Sequence, residues 1–100
     1  MNVQFSTKKL QKEYEDGSKA AKAYGQQVGR KFIQRVNLIK STQDMDTLKQ
    51  LPGLACHPLK GNLKDLWAVK LTGFYRLLFK VEDGPPVIVR IEEVSKHYDD

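Results

Sequence analysis

The spacing of the apolar residues changes from a helical period of about 3.6 to a strand period of 2 partway along the chain. Between Ala21 and Ile39, apolar residues recur every three or four positions, which is typical of the buried face of an amphipathic helix. After Pro52-Gly53, apolar and polar residues alternate, as they do in half-buried strands. This order predicts an α+β fold, with an N-terminal helical hairpin packed on one face of a small antiparallel β-sheet.

Polar residues predict where the first helix begins and ends. Ser6 or Thr7 can cap its start, Leu10 and Tyr14 lie four residues apart on one face, and Asp16-Gly17 provides a stop. We expect this helix to form the first arm of the hairpin.

A second and longer helix is predicted over residues 21–39. Gly25 and Gly29 lie within it, and each costs about 1 kcal/mol relative to alanine, so they indicate close packing against the first helix. A short helix over residues 44–51 then ends at Pro52-Gly53.

Alternating segments predict four strands. A short segment at the start of the chain fits an edge strand, and three later segments form an antiparallel meander. Turns are expected at Thr72-Gly73 and at Asp83-Gly84-Pro85-Pro86. The segments cover residues 3–5, 67–71, 74–81 and 87–94.

Length and cysteine count exclude several classes of protein. A chain of 100 residues has room for one domain, which we expect to span residues 1–100. The single cysteine, Cys56, excludes a disulfide-stapled scaffold. The longest apolar run, residues 66–69, is far shorter than the roughly 20 residues that span a bilayer, and the first ten residues lack the apolar core of a signal peptide. We therefore expect a cytoplasmic protein without membrane association.

Positive charge is concentrated in the helical half. The chain has 17 Lys and Arg against 12 Asp and Glu, a net charge of +5. Residues 1–50 hold ten basic and five acidic residues, whereas residues 51–100 hold seven of each. The basic residues of the second helix, among them Lys22, Lys31 and Arg35, fall mainly off the apolar stripe. Such a surplus favours contact with a polyanion.

Common cofactor and metal motifs do not occur in the sequence. It has no Gly-rich phosphate loop, no paired CxxC, no HExxH and no Gly-x-Ser-x-Gly. Its two histidines are forty residues apart, and Cys56 adjoins His57, which makes a shared tetrahedral site awkward. We predict no metal site and no cofactor, and we interpret Cys56 as a small buried hydrophobic residue rather than a nucleophile.

The candidate catalytic groups are two imidazoles, a phenol and two cations. They would suit metal-free cleavage of RNA, which needs a base for the ribose 2′-hydroxyl, cations beside the phosphorus and an acid for the leaving oxygen. Each has an ordinary alternative: the first histidine can cap a turn in the loop 56–61, the lysine can be solvated, and the arginine can pair with Glu92 or Glu93. The candidates are His57, Lys60, Arg76, His97 and Tyr98.

These motifs resemble those of a known family. His-Pro-Leu-Lys-Gly at 57–61, Trp67-Ala68-Val69, Thr72-Gly73-Phe74-Tyr75-Arg76-Leu77 and the basic, aromatic end of the last strand are similar to the RelE/ParE superfamily. Within it they resemble the HigB-like toxins of type II toxin–antitoxin modules. The order of predicted helices and strands agrees with that fold over nearly the whole chain.

The resemblance implies a ribosome-dependent endoribonuclease that cuts mRNA and is held inactive by a cognate antitoxin. It implies that His57 is a general base or acid and that Lys60 and Arg76 stabilise the phosphate. HigB-like toxins commonly end in Asp-Tyr-His, whereas this chain reads Lys96-His97-Tyr98, so either His97 or Tyr98 completes the site. The basic helices would then dock on ribosomal RNA. The expected RNA-binding residues are Lys22, Lys31 and Arg35, together with Lys64 outside the helices.

Two other functions are compatible with the sequence. ParE-like members of the superfamily share the fold, lack the ribonuclease residues and act by binding DNA gyrase. A basic domain that binds RNA without cutting it is the third alternative.

Overall fold

A computed structural model describes residues 1–96. It is an α+β fold with four helices and a five-stranded sheet in the order β1-β5-β4-β3-β2. His97 and Tyr98, both predicted site residues, lie outside the described residues. The elements are β1 (Asn2–Phe5), α1 (Lys8–Glu15), α2 (Gly17–Tyr24), α3 (Gln26–Ser41), α4 (Met45–Gln50), β2 (His57–Pro58), a 3₁₀ turn (Gly61–Leu63), β3 (Trp67–Lys70), β4 (Tyr75–Glu82) and β5 (Ile88–Lys96).

The sheet contains the predicted antiparallel meander, formed by β3, β4 and β5. The predicted edge strand is also present as β1, but it runs parallel to β5, so the sheet is mixed rather than purely antiparallel. The other edge is β2, which pairs antiparallel with β3. The sequence predicted a loop at this point, because a two-residue strand is too short to show alternation.

The core lies between the helices and one face of the sheet. Phe32, Val36 and Ile39 of α3 are fully buried against residues that alternate along β3, β4 and β5. Burying side chains of this size contributes roughly 1.5–3 kcal/mol each, so this layer fixes the position of the sheet. The sheet residues of this layer are Val69, Leu71, Leu77, Phe79, Val89 and Ile91.

The predicted second helix is in fact two helices that meet at Gly25. Gly25 has φ +87, a left-handed conformation that only glycine adopts readily, and it ends α2 and starts α3. The expectation that both glycines lie inside one helix was therefore wrong for Gly25. Gly29 does mark close packing, but against α2: a Cβ at Gly29 would lie 2.8 Å from the carbonyl carbon of Ala20.

Side-chain caps fix the starts of α1, α2 and α4. Thr7 caps α1 by accepting a hydrogen bond from the backbone N–H of Leu10 at 3.1 Å, which selects Thr7 from the two predicted caps. Asp16 ends α1 and caps α2, and Asp44 caps α4. Hydrogen bonds from Ser18 and Thr47, respectively, hold the pKa of each aspartate below its ordinary value.

One carboxylate is buried between α1 and α2. Glu13 is 4% exposed and accepts hydrogen bonds from the Tyr24 hydroxyl and from Lys9 Nζ, the latter at 2.5 Å. Both partners compensate the cost of burying the charge. Burial and the Glu13 carboxylate together raise the pKa of Tyr24 well above its ordinary value.

Candidate functional site

The face of the sheet opposite the core carries the candidate site. Strand residues alternate between the two faces, and directly paired residues share a face. Because Val69, Leu77 and Phe79 point to the core, their neighbours Lys70, Arg76 and Leu78 point the other way. We call this second surface the open face.

Two rows of paired residues cross the open face near its centre. One row runs from His57 across Ala68 and Leu78 to Glu93. The next row runs from Lys70 across Arg76 to Ser95. The fold therefore brings His57 and Arg76 to neighbouring rows of the same surface.

His57 lies on the edge strand β2 and is partly exposed. Its Nδ1 is 2.7 Å from the carbonyl oxygen of Ala55. The pairing of His57 with Ala68 fixes the backbone of the residue, and the contact with Ala55 fixes the ring. The imidazole is thus held in one orientation while remaining accessible.

Arg76 lies near the start of β4 and is anchored to the preceding turn. Its Nη1 donates to the carbonyl oxygens of Thr72 at 2.8 Å and Tyr75 at 3.1 Å. Ser95, rather than Glu92 or Glu93, lies directly opposite Arg76 on β5. The guanidinium is therefore placed by the β3–β4 turn at one end of the open face.

The distance between the two positions follows from the sheet geometry. His57 and Arg76 are two strands apart across the sheet and two residues apart along the strands. With strands about 4.8 Å apart and a rise of about 3.4 Å per residue, their Cα atoms are about 12 Å apart. Ala68 and Leu78, which lie between the two positions, are themselves buried, at 2% and 3% exposure.

Lys60 and Lys64 lie on the loop between β2 and β3. Both are exposed; Lys60 precedes the 3₁₀ turn and Lys64 follows it. The chain leaves β2 toward the start of β3, whereas Arg76 lies opposite the end of β3. The backbone thus places Lys60 on the other side of His57 from Arg76.

The predicted RNA-binding residues of the helices lie in different settings. Lys22 is exposed and lines an open cavity of 590 Å³ between α1 and α2, together with Lys9, Lys12 and Lys19. Lys31 is only partly exposed. Arg35 donates from Nε to the carbonyl oxygen of Lys70 at 3.0 Å, so it also ties α3 to the end of β3.

Sequence reasoning missed the positive charge of the open face. Lys70, Arg76, Lys80 and Arg90 all point to it, since each alternates with a core residue or pairs with one of the others. Arg90 is paired with Glu82 at 2.9 Å. The signal was present in the alternation, but a net charge counted over residues 51–100 does not separate the two faces of the sheet or the strands from the loops. The same face also carries Glu82 and Glu93, so the cations outnumber the carboxylates there by four to two.

The described residues favour neither a cysteine nucleophile nor a metal site. Burial raises the pKa of Cys56 to about 11 against the opposing effect of Lys49, so little of the nucleophilic thiolate forms near neutral pH. Cys56 is partly buried and packs against the core, whereas the sequence predicted a buried residue. Within residues 1–96, no group of three or more His, Cys, Asp or Glu side chains could hold a metal ion.

A family model identifies the class of protein. The model, described as the RelE-like toxin of the type II toxin–antitoxin system HigB, matches residues 3–92. The chain therefore belongs to the HigB-like toxins, a family of RelE-like toxins of type II toxin–antitoxin systems. A search of curated proteins finds no match. The predicted family is confirmed.

Solved structures share the fold at low sequence identity. The YoeB/ParE toxin from Agrobacterium tumefaciens is 18% identical, with a TM-score of 0.65 over 98% of this chain and 100% of that one. The YoeB–YefM complex from Staphylococcus aureus matches at 22% identity and a TM-score of 0.60 over 98% of both chains. The DinJ–YafQ toxin–antitoxin complex of E. coli matches at 20% and 0.60, over 96% of this chain and 91% of that one. The predicted α+β toxin fold is thus confirmed.

No helix within the described part of the chain is both long and apolar enough to cross a membrane.

Proposed function

We propose that this toxin is an endoribonuclease that cuts mRNA on the ribosome. The observation that carries the proposal is that an accessible imidazole, His57, and an anchored guanidinium, Arg76, lie on the same face of the sheet, with Cα atoms about 12 Å apart. The same face also carries two exposed lysines, Lys70 and Lys80, that would contact the RNA backbone. The site of action would be the cytoplasm, where messages are translated.

The reaction would proceed by transfer of protons between the RNA and the protein. His57 accepts the proton of a ribose 2′-hydroxyl, and the 2′-oxygen attacks the adjacent phosphorus. Arg76 and Lys60 stabilise the negative charge that gathers on the five-coordinate phosphorus. The bond from phosphorus to the 5′-oxygen then breaks, which gives a 2′,3′-cyclic phosphate and a 5′-hydroxyl. These steps need no cofactor.

The leaving 5′-oxygen needs a proton from an acid. His97 or Tyr98, which follow β5 in the sequence, is the proposed donor. A histidine can donate near neutral pH, whereas tyrosine, with an ordinary pKa of about 10, would serve by stacking on a base or would need a lowered pKa.

The two basic surfaces would have separate tasks. The open face would hold the message, and the helices would dock on ribosomal RNA through Lys22, Lys31 and Arg35, with Lys64 contributing from its loop. The lysines around the cavity between α1 and α2 support the second part, because clustered cations gain affinity for phosphates by counterion release.

A cognate antitoxin is the proposed protein partner. The family is defined by toxin–antitoxin systems, and two structural neighbours are complexes with the antitoxins YefM and DinJ.

The proposal is tested by expressing the toxin in cells without antitoxin and mapping mRNA ends by primer extension. Wild type should arrest growth and produce new 5′ ends within messages, and His57→Ala should produce neither. Gln34→Ala, an exposed α3 variant, is the matched control and should behave as wild type. Intact messages together with poisoned DNA gyrase would contradict the proposal and favour a ParE-like mode of action.

A further inference from the structure

Ala55, two residues before His57, has an unusual backbone conformation. Its φ is +50, and it is the one residue other than glycine with positive φ within residues 1–96. Side chains with a Cβ rarely adopt this left-handed region, because the Cβ approaches the following carbonyl oxygen. Strained residues of this kind cluster at functional sites, so Ala55 calls for a physical role.

The conformation of Ala55 belongs to a bulge in the pairing of β2 with β3. The carbonyl oxygen of Leu54 accepts from the N–H of Lys70 at 2.7 Å, and His57 pairs with Ala68. Between these two attachments β3 has one residue, Val69, while the incoming segment has two, Ala55 and Cys56. Two residues opposite one is the count of a β-bulge, a feature that re-aims side chains next to active sites.

The bulge brings a carbonyl oxygen to the His57 ring. Ala55 O lies 2.7 Å from Nδ1 of His57, at a normal hydrogen-bond distance. A carbonyl oxygen only accepts, so Nδ1 must carry the hydrogen. In the neutral imidazole the lone pair then lies on Nε2, which is free to accept a proton.

We propose that Ala55 is a positioning residue: its left-handed bulge holds neutral His57 as the Nδ1–H tautomer and thereby makes Nε2 the atom that takes the 2′-hydroxyl proton. The second part of this statement rests on the proposed ribonuclease function. The first part concerns the free protein alone. Charged groups facing His57 from β3, β4 and β5 are Lys70, Arg76 and Glu93, and none of them is needed to assign the tautomer.

The tautomer is measured directly by ¹⁵N NMR of the imidazole in the purified full-length chain, at a pH where the ring is neutral. The two histidines are told apart with His97→Gln. The expected result is a protonated Nδ1 and an unprotonated Nε2 in His57. A proton on Nε2 would overturn the inference, whether or not the protein cuts RNA.

Two variants test the role of Ala55. Ala55→Gly adopts positive φ without strain, so it should keep the tautomer and cut mRNA at the wild-type rate in a reconstituted translation mixture. Ala55→Val resists this conformation, so it should lose the Nδ1–H signal and reduce kcat by about tenfold or more, with KM for programmed ribosomes unchanged. Gln43→Val, at an exposed position between α3 and α4, is the control for an introduced valine.

The outcomes separate the inference from the proposed function. If Ala55→Val keeps both the tautomer and kcat, Ala55 is not a positioning residue. If circular dichroism shows that Ala55→Val does not fold, the test uses wild type and Ala55→Gly. The inference is contradicted if His57 is not the Nδ1–H tautomer in either of these proteins. If wild type shows this tautomer but cuts no message, the ribonuclease proposal fails, and with it the catalytic part of the inference.

Discussion

His57 and Arg76 face the same side of the sheet from two strands that flank β3, with Ala68 and Lys70 between them. Their proximity depends on β2, which joins the sheet by only two residues. The site is thus assembled by strand pairing at the edge of the sheet. Substitutions at either position should affect chemistry more than stability, because both side chains are partly exposed.

Arg76→Ala should reduce mRNA cleavage by about a hundredfold or more, since it removes a fixed donor from the developing phosphorane charge. Arg76→Lys should recover only part of the rate, because an ammonium keeps the charge but lacks the planar fork of the guanidinium. Cleavage is measured in a reconstituted translation mixture. Arg30→Ala, an exposed arginine on α3, is the control and should cut at the wild-type rate.

Lys80→Ala should weaken binding of a short single-stranded RNA, because Lys80 is exposed on the open face opposite Arg90. Loss of one phosphate contact should reduce the slope of log affinity against log salt by about 0.7. A salt series of fluorescence anisotropy measures both quantities. If Lys19→Ala on α2 weakens binding and Lys80→Ala does not, the message does not lie on the open face.

Gly29→Ala should destabilise the fold, because the new Cβ would meet the backbone of α2 at 2.8–2.9 Å. Overpacking costs about 1–3 kcal/mol, of which the better helix propensity of alanine returns up to about 1 kcal/mol. Urea denaturation measures the difference. Gly73→Ala has no atom within 4 Å of its new Cβ and should change the free energy of unfolding by less than about 0.5 kcal/mol.

Stability should fall in alkali partly because of Tyr24. Its pKa is raised in the folded state by burial and by Glu13, so the neutral phenol is favoured there. The resulting stabilisation is complete below about pH 10, the ordinary pKa of tyrosine, and is lost as the pH rises from there toward the folded pKa. Urea denaturation over a pH series that passes this value should show a shallower alkaline decline for Tyr24→Phe than for wild type. Equal slopes would mean that Tyr24 titrates normally.

The sequence predicted the helices and the meander well where periodicity was long enough to be read. Thr7, the stop at Asp16-Gly17 and the short helix before Pro52-Gly53 follow from local chemistry, and all three are present. The break at Gly25 was missed, because the apolar stripe continues through it with the same spacing. The bend brings Gly29 against Ala20, and the periodicity of the apolar residues does not report such a contact.

The candidate site was predicted by residue type but not by arrangement. His57 and Arg76 were identified from the sequence, yet their common face follows from the register of β2, β3 and β4. The bulge at Ala55 could not be predicted, because alanine carries no preference for positive φ. The bulge is visible only in the backbone conformation of Ala55.

The most direct test of the central claim uses one message with a single 2′-deoxy nucleotide. The main cleavage site is first mapped on the all-ribose message in a reconstituted translation mixture with wild-type toxin. The account predicts that this site yields a 5′-hydroxyl end and that replacing its attacking 2′-hydroxyl by hydrogen abolishes the cut there. Cleavage at the 2′-deoxy site at the original rate, or cleavage of the all-ribose message by His57→Ala at the wild-type rate, would contradict it.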